Sequence, residues 1–174
     1  MRRLLLFRHA KATVMTGHDD HERALIERGR RDAARIAAFV AASGQIPELV
    51  VHSGARRARE TAEIARAAWP RMVEARSEPR LYEASRPALE AIVRALPDSC
   101  ASVMLVGHNP GVADLANRLV GHGADFDLLR LSAKFPTAGL AVLEFDVKHW
   151  RDVKPASATL ACFATPDDPK LEKV

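Results

Sequence analysis

The chain has 174 residues, 48% hydrophobic and 28% charged, which is the size and balance of one folded domain and not of a disordered chain. Its 26 Lys and Arg against 22 Asp and Glu leave a net charge of +4, spread along amphipathic stretches such as ERGRRDAARIAAFV and joined by few aromatics. This argues against a nucleic-acid surface and favours anionic ligands in general. No stretch approaches the roughly 18 apolar residues of a membrane span, and the opening MRRLLLF breaks at Arg8, too early for a secretory leader; a soluble, cytoplasmic protein is expected. Cys100 and Cys162 lack a CxxC spacing and are expected to be free thiols near strands.

In chain order, the apolar runs LLLF (4 to 7), ELVV (48 to 51) and SVMLV (102 to 106) read as short strands buried on both faces, each followed by helical patterning. Residues 24 to 42 place Leu25, Ala33, Ile36, Ala37, Phe39 and Val40 at helical spacing. Residues 55 to 69 form a second helix that Pro70 stops. EPRLY reads as strand-like, and RPALEAIVRAL as a helix ended by Pro97. NPGVADLANRLV reads as a helix with Asn109 as N-cap, Pro110 in its first turn and Gly121 at its close. LAVLEF and ATLACFA are strands with no long helix between them, which predicts an antiparallel pair near one edge. The fold class is therefore α/β, a single domain with a mostly parallel central sheet and helices on both faces. Residues 1–165 form the domain, and the tail 166–174, PDDPKLEKV, is expected to be flexible.

In open α/β sheets ligands bind beyond the carboxyl ends of the strands, where helix N-termini also point their free N–H groups. Here those ends read Arg8-His9, His52-Ser53 with Arg56 and Arg57 beyond, and Gly107-His108-Asn109. Arg and His gathered at three strand ends specify an oxyanion, most naturally a phosphoryl group. Neither a GxxxxGK[ST] loop nor a GxGxxG fingerprint is present, so no nucleotide cradle is indicated. Imidazole is a competent nucleophile for phosphorus when one nitrogen is unprotonated and the other is held by a hydrogen bond. His9, followed by the small Ala10, is the better placed nucleophile. His108 is then an electrostatic partner whose pKa a bound dianion would raise.

LFRHAKA resembles the Arg-His-Gly signature of the histidine phosphatase superfamily, the phosphoglycerate mutase-like fold, with Ala10 in place of glycine. HSGARRARETA resembles its S-x-x-x-R-A-x-x-T motif through Ser53, Arg57, Ala58 and Thr61, and VGHNPGV its second-histidine motif. RHAKA, RALIERG, KFPTAGLAVLEF and the short length are similar to the small SixA-type phosphohistidine phosphatases. The likeness spans about residues 3 to 147. It implies that His9 is the nucleophile and that Arg8, Arg57 and His108 bind the phosphoryl oxygens. It also places Glu83 of LYEAS where larger members carry an acid, and puts Ile26 where the family's L-T-x-x-G has threonine, at the loss of a structural hydroxyl.

Asn109, Arg23 and Lys11 complete the substrate-binding candidates, Arg23 by likeness to the small members and Lys11 as a cation that steers anions. Arg56, one position off the motif, is expected to face solvent. GHDDHER offers His18, Asp19, Asp20 and His21 as metal ligands, but without the i, i+4 spacing that aims two imidazoles at one ion it reads as a solvated lid. No metal and no cofactor are expected. The expected activity is that of a phosphatase with a covalent phosphohistidine on His9, acting on phosphohistidine in a phosphorelay or phosphotransfer protein. Two alternatives stand beside it, a hydrolase of small phosphomonoesters and a non-catalytic phosphate-binding module. Membrane and nucleic-acid partners are not expected.

Overall fold

A computed structural model describes residues 1–14 and 19–173. Its strands are β1 (Arg2–Arg8), β2 (Leu49–His52), β3 (Glu74–Ser77), β4 (Ser102–Gly107), β5 (Val120–Gly123), β6 (Leu140–Phe145) and β7 (Ala158–Ala164). They form one sheet in the order β3-β2-β4-β1-β6-β7-β5. Pairing is parallel from β3 through β2 and β4 to β1, antiparallel from β1 to β6 and from β6 to β7, and parallel again between β7 and β5. Among the described residues β6 is thus the one reversed strand, and the sheet is mostly parallel.

The strand sequences explain how the sheet is covered. Side chains alternate across a strand, and in β1 Leu4 and Leu6 enter one core while Leu5 and Phe7 enter the other. In β4, Val103 and Leu105 divide from Met104 and Val106 in the same way. A strand with both faces buried must be apolar throughout. The second core is closed by helices α1 (Glu27–Ala42) and α2 (Arg56–Ala67), the first by α3 (Arg86–Arg94) and α4 (Gly111–Leu119), with Leu131 of α5 (Asp125–Ala133) at its margin. In α1 the buried set Ala33, Ile36, Ala37 and Val40 has the spacing of one helical face.

Several local readings of the sequence need correction. EPRLY is not a strand: β3 ends at Ser77, and Pro79–Leu81 is a 3-10 turn whose Arg80 N–H is capped by the Glu78 side chain at 3.0 Å. Asn109 does not cap α4. Its Nδ2 donates instead to the carbonyl of Phe135 at 2.9 Å, and Pro110 takes the cap position. Gly121 does not close that helix either, because α4 runs directly into β5, where a Cβ on Gly121 would stand 2.0 Å from the Ala156 carbonyl oxygen. Over the described part of the tail, Leu171 is buried in the second core, and Asp168 pairs with Arg130 at 3.0 Å and Lys170 at 3.3 Å. Among the described residues no helix is long and apolar enough to cross a membrane.

Candidate active site

The carboxyl ends of β1, β4 and β2 lie side by side, because these strands are neighbours in the sheet. The β1–β4 register ends on Arg8 opposite Gly107, so the next residues, His9 and His108, emerge together; their rings lie 5.0 Å apart. His9 is fixed through its backbone. Its N–H donates to the Gly107 carbonyl at 3.0 Å, its carbonyl accepts from Ala138 N–H at 3.2 Å, and the following Ala10 N–H donates to Thr61 Oγ1 at 3.0 Å. Thr61 in turn donates to the Arg57 carbonyl one turn earlier in α2, at 2.7 Å. Two parts of the Ser53-to-Thr61 motif thus tie α2 to the loop that carries His9.

The contacts of His9 define its tautomer. Nδ1 lies 2.8 Å from the Ala10 carbonyl oxygen, which can only accept, and Nε2 lies 3.3 Å from Arg57 Nε, which can only donate. The ring is therefore protonated on Nδ1 and carries its lone pair on Nε2. Burial holds its pKa down to about 4, helped by the charges of Arg57, Arg8 and Arg23 and opposed by the Ala10 carbonyl. His108 is lowered further, to about 3, by burial first and then by His9 and Arg57. Its Nε2 lies 2.6 Å from Ser53 Oγ, while Nδ1 is buried with no hydrogen-bond partner among the described residues.

Arg8 and Arg57 differ in how they are held. Arg8 Nη1 donates to the Phe135 carbonyl at 2.9 Å, the acceptor it shares with Asn109, and its buried Nε has no partner among the described residues. Burial alone lowers its pKa. Arg57, 4% exposed, stands in the first turn of α2, where the helix dipole already disfavours a cation. Asp20 compensates: its Oδ2 accepts from Arg57 Nη2 at 2.9 Å and its backbone carbonyl from Nη1 at 2.7 Å.

All eight residues singled out from the sequence line one pocket of about 330 Å³: Arg8, His9, Lys11, Arg23, Arg57, Glu83, His108 and Asn109. Four cations face two carboxylates there, those of Asp20 and Glu83. Arg23 reaches Asp20 Oδ1 at 2.9 Å and the Thr13 carbonyl at 2.9 Å. Glu83 is exposed and held at φ 51°, a left-handed conformation that costs a non-glycine residue ~1 kcal/mol. Arg56 points away, pairing with Glu60 at 2.9 Å.

Sequence reasoning missed two pocket-side residues. Asp20 was grouped with possible metal ligands of a lid, yet it pairs with the arginines; the available signal was its i, i+3 relation to Arg23. Tyr82, the chain's one tyrosine, donates to Asp20 Oδ2 at 2.6 Å and stands edge-on to His108 at 5.5 Å. Among the described residues no group of three or more His, Cys, Asp or Glu could hold a metal, and His18 of the suspected cluster lies outside them.

Fold and pocket together define an α/β protein that offers a neutral imidazole, backed by arginines, to an oxyanion at the carboxyl edge of a mostly parallel sheet. The model of the histidine phosphatase superfamily, branch 1, matches residues 4–92, and the chain belongs to that superfamily, as a phosphatase of the SixA type. It is 35% identical over 161 residues to an uncharacterised protein of Mycobacterium tuberculosis, covering 91% of this chain and 99% of that one. Among solved structures, the candidate phosphohistidine phosphatase SixA of Agrobacterium tumefaciens is 31% identical, with a TM-score of 0.80 over 95% of this chain and 98% of its own. Its counterpart from Nakamurella multipartitia is 28% identical, with a TM-score of 0.78 over 96% and 97%.

Proposed function

We propose that this phosphatase removes the phosphoryl group from phosphohistidine in a phosphorelay or phosphotransfer protein, by way of a covalent phosphohistidine on His9. The observation that carries the reading is the His9 tautomer: Nδ1–H is spent on the Ala10 carbonyl, and the Nε2 lone pair lies beside Arg57. Nε2 forms a bond to phosphorus as the bond from phosphorus to the substrate's imidazole nitrogen breaks. The leaving imidazole takes that electron pair and departs neutral, keeping a proton on its far nitrogen. Water then displaces phosphate from His9. Arg8 and Arg57 neutralise the equatorial oxygens, where phosphoryl transfer gathers its charge. His108, which lines the pocket with its ring 5.0 Å from that of His9 and its Nε2 held by the Ser53 hydroxyl, completes the phosphoryl site. Lys11, Arg23 and Asn109 line the approach.

The likeness to SixA proteins supports the phosphohistidine substrate. A second reading, hydrolysis of small phosphomonoesters, is supported by one observation: Glu83 is an exposed carboxyl group lining the same pocket, and an alkoxide leaving group needs an acid to protonate it. One experiment tests the proposal. Wild-type protein is mixed briefly with a phosphohistidine protein or with sugar phosphates, each labelled on phosphorus, and the trapped enzyme is examined beside His9→Ala. The expected result is an acid-labile, base-stable label on His9 from the phosphohistidine protein, and no turnover by the alanine variant with its fold intact. Near wild-type turnover by His9→Ala would overturn the mechanism, and labelling from sugar phosphates alone would move the substrate to the second reading.

A further inference from the structure

Asp20 does more than line the pocket. It opens the 3-10 turn Asp20–Glu22, which the Asp19 side chain caps through His21 N–H at 3.1 Å. From there it spreads over three partners. Oδ1 accepts from Arg23 Nε at 2.9 Å, and Oδ2 accepts from Arg57 Nη2 at 2.9 Å and from the Tyr82 hydroxyl at 2.6 Å. Its backbone carbonyl accepts from Arg57 Nη1 at 2.7 Å. With Arg57 Nε directed at His9 Nε2, each of the three guanidinium nitrogens of Arg57 already donates within the protein.

The two partners of the Asp20–Arg57 pair are unequal. The Arg57 side chain is 5% exposed and that of Asp20 47%. The cation is therefore committed to the pocket, whereas the anion can be reached by water and replaced. A carboxylate shared by two arginines and a phenol presents its oxygens much as a phosphoryl group would. We infer that Asp20 is a built-in competitor for the phosphoryl site, holding donors of Arg57 and Arg23 that an incoming anion must win, and so fixing which anions the pocket accepts. A monoanionic carboxylate gains nothing by exchange, because it replaces one carboxylate with another and loses the link to the chain. A phosphoryl group, with two charges and three oxygens, gains donors that Asp20 cannot use.

The inference rests on the proposed role of Arg57 as a phosphoryl ligand, and it differs from a bracing role for Asp20 in the sign of one measurement. A brace, once removed, loosens the arginines and weakens anion binding; a competitor, once removed, strengthens it. Binding of inorganic phosphate and of acetate is measured by titration calorimetry on wild type, Asp20→Asn, Asp20→Ala, Tyr82→Phe and Arg57→Ala, each checked for folding by thermal melting. The expected result is phosphate binding about tenfold tighter in both Asp20 variants, the scale of one charge-assisted contact released. Acetate should gain at least as much, so that discrimination narrows, and Tyr82→Phe should shift both in the same direction by less. Unchanged or weaker phosphate binding in both Asp20 variants, with Arg57→Ala still weakening it, would overturn the competitor and leave the role of Arg57 standing. Phosphate binding untouched by Arg57→Ala would overturn both.

Discussion

Arg56 and Arg57 are adjacent in sequence and opposite in surroundings. A helix turns about 100° per residue, so one faces solvent and Glu60 at 2.9 Å while the other is buried against His9 and Asp20. Arg57→Ala should lower kcat/KM by about 2–4 kcal/mol in transition-state terms, the scale of losing a charge-assisted donor to a developing oxyanion. Arg56→Ala removes a partly exposed ion pair on the face turned away from the pocket and should change kcat/KM by less than about 1 kcal/mol. Steady-state kinetics on the two variants checks both figures, and equal losses would show the register to be misplaced. The choice of Arg57 over Arg56 was legible in the sequence because the spacing from Ser53 to Thr61 fixes the helix face. Asp20 was not, because its contact with Arg57 spans 37 residues of chain and depends on how a loop returns over the pocket.

At the scale of elements, the site depends on how closely α1 approaches the loop after β1. Gly29 makes that approach possible: a Cβ there would stand 2.1 Å from the Lys11 carbonyl oxygen, a backbone atom that also accepts from Ile26 N–H at 3.0 Å. Gly29→Ala should therefore destabilise the protein by about 1–3 kcal/mol, as overpacking does. It should also lower kcat, because the displaced segment begins two residues after His9; urea unfolding and turnover measure the two effects. Ile26, where the family motif has threonine, is the N-cap of α1 and makes no side-chain cap bond, which locates the hydroxyl this chain lacks. The central strands and α1 to α4 were legible because each buries an apolar pattern of the right period. The edge strands β3 and β5 were not, since EARS and VGHG carry no such pattern. Helix α5 escaped for a similar reason: it buries only Leu131 and leaves Phe126 and Leu129 largely exposed.

Over the whole molecule, the two neutral imidazoles link folding to pH. The folded protein holds His9 down at about 4 and His108 at about 3, against an ordinary 6.5 when unfolded. The unfolded chain therefore binds more protons as the pH falls below 6.5, and stability is full above that value and declines from there toward about 4 for His9 and about 3 for His108. His108→Gln removes one of the two groups and should flatten that decline, as urea unfolding at about pH 7.5, 5.5 and 4.5 would show; a wild-type curve level across that range would contradict the burial of neutral rings. The same two residues owe their spacing to something other than their side chains. They follow β1 and β4 where the parallel ladder ends, so the 5.0 Å between their rings is close to the separation that backbone hydrogen bonding sets between adjacent strands. A ladder is indifferent to which apolar residues fill it. Descendants of one ancestor can exchange nearly every core residue and still inherit the distance between the two histidines, so long as neither strand slips its register.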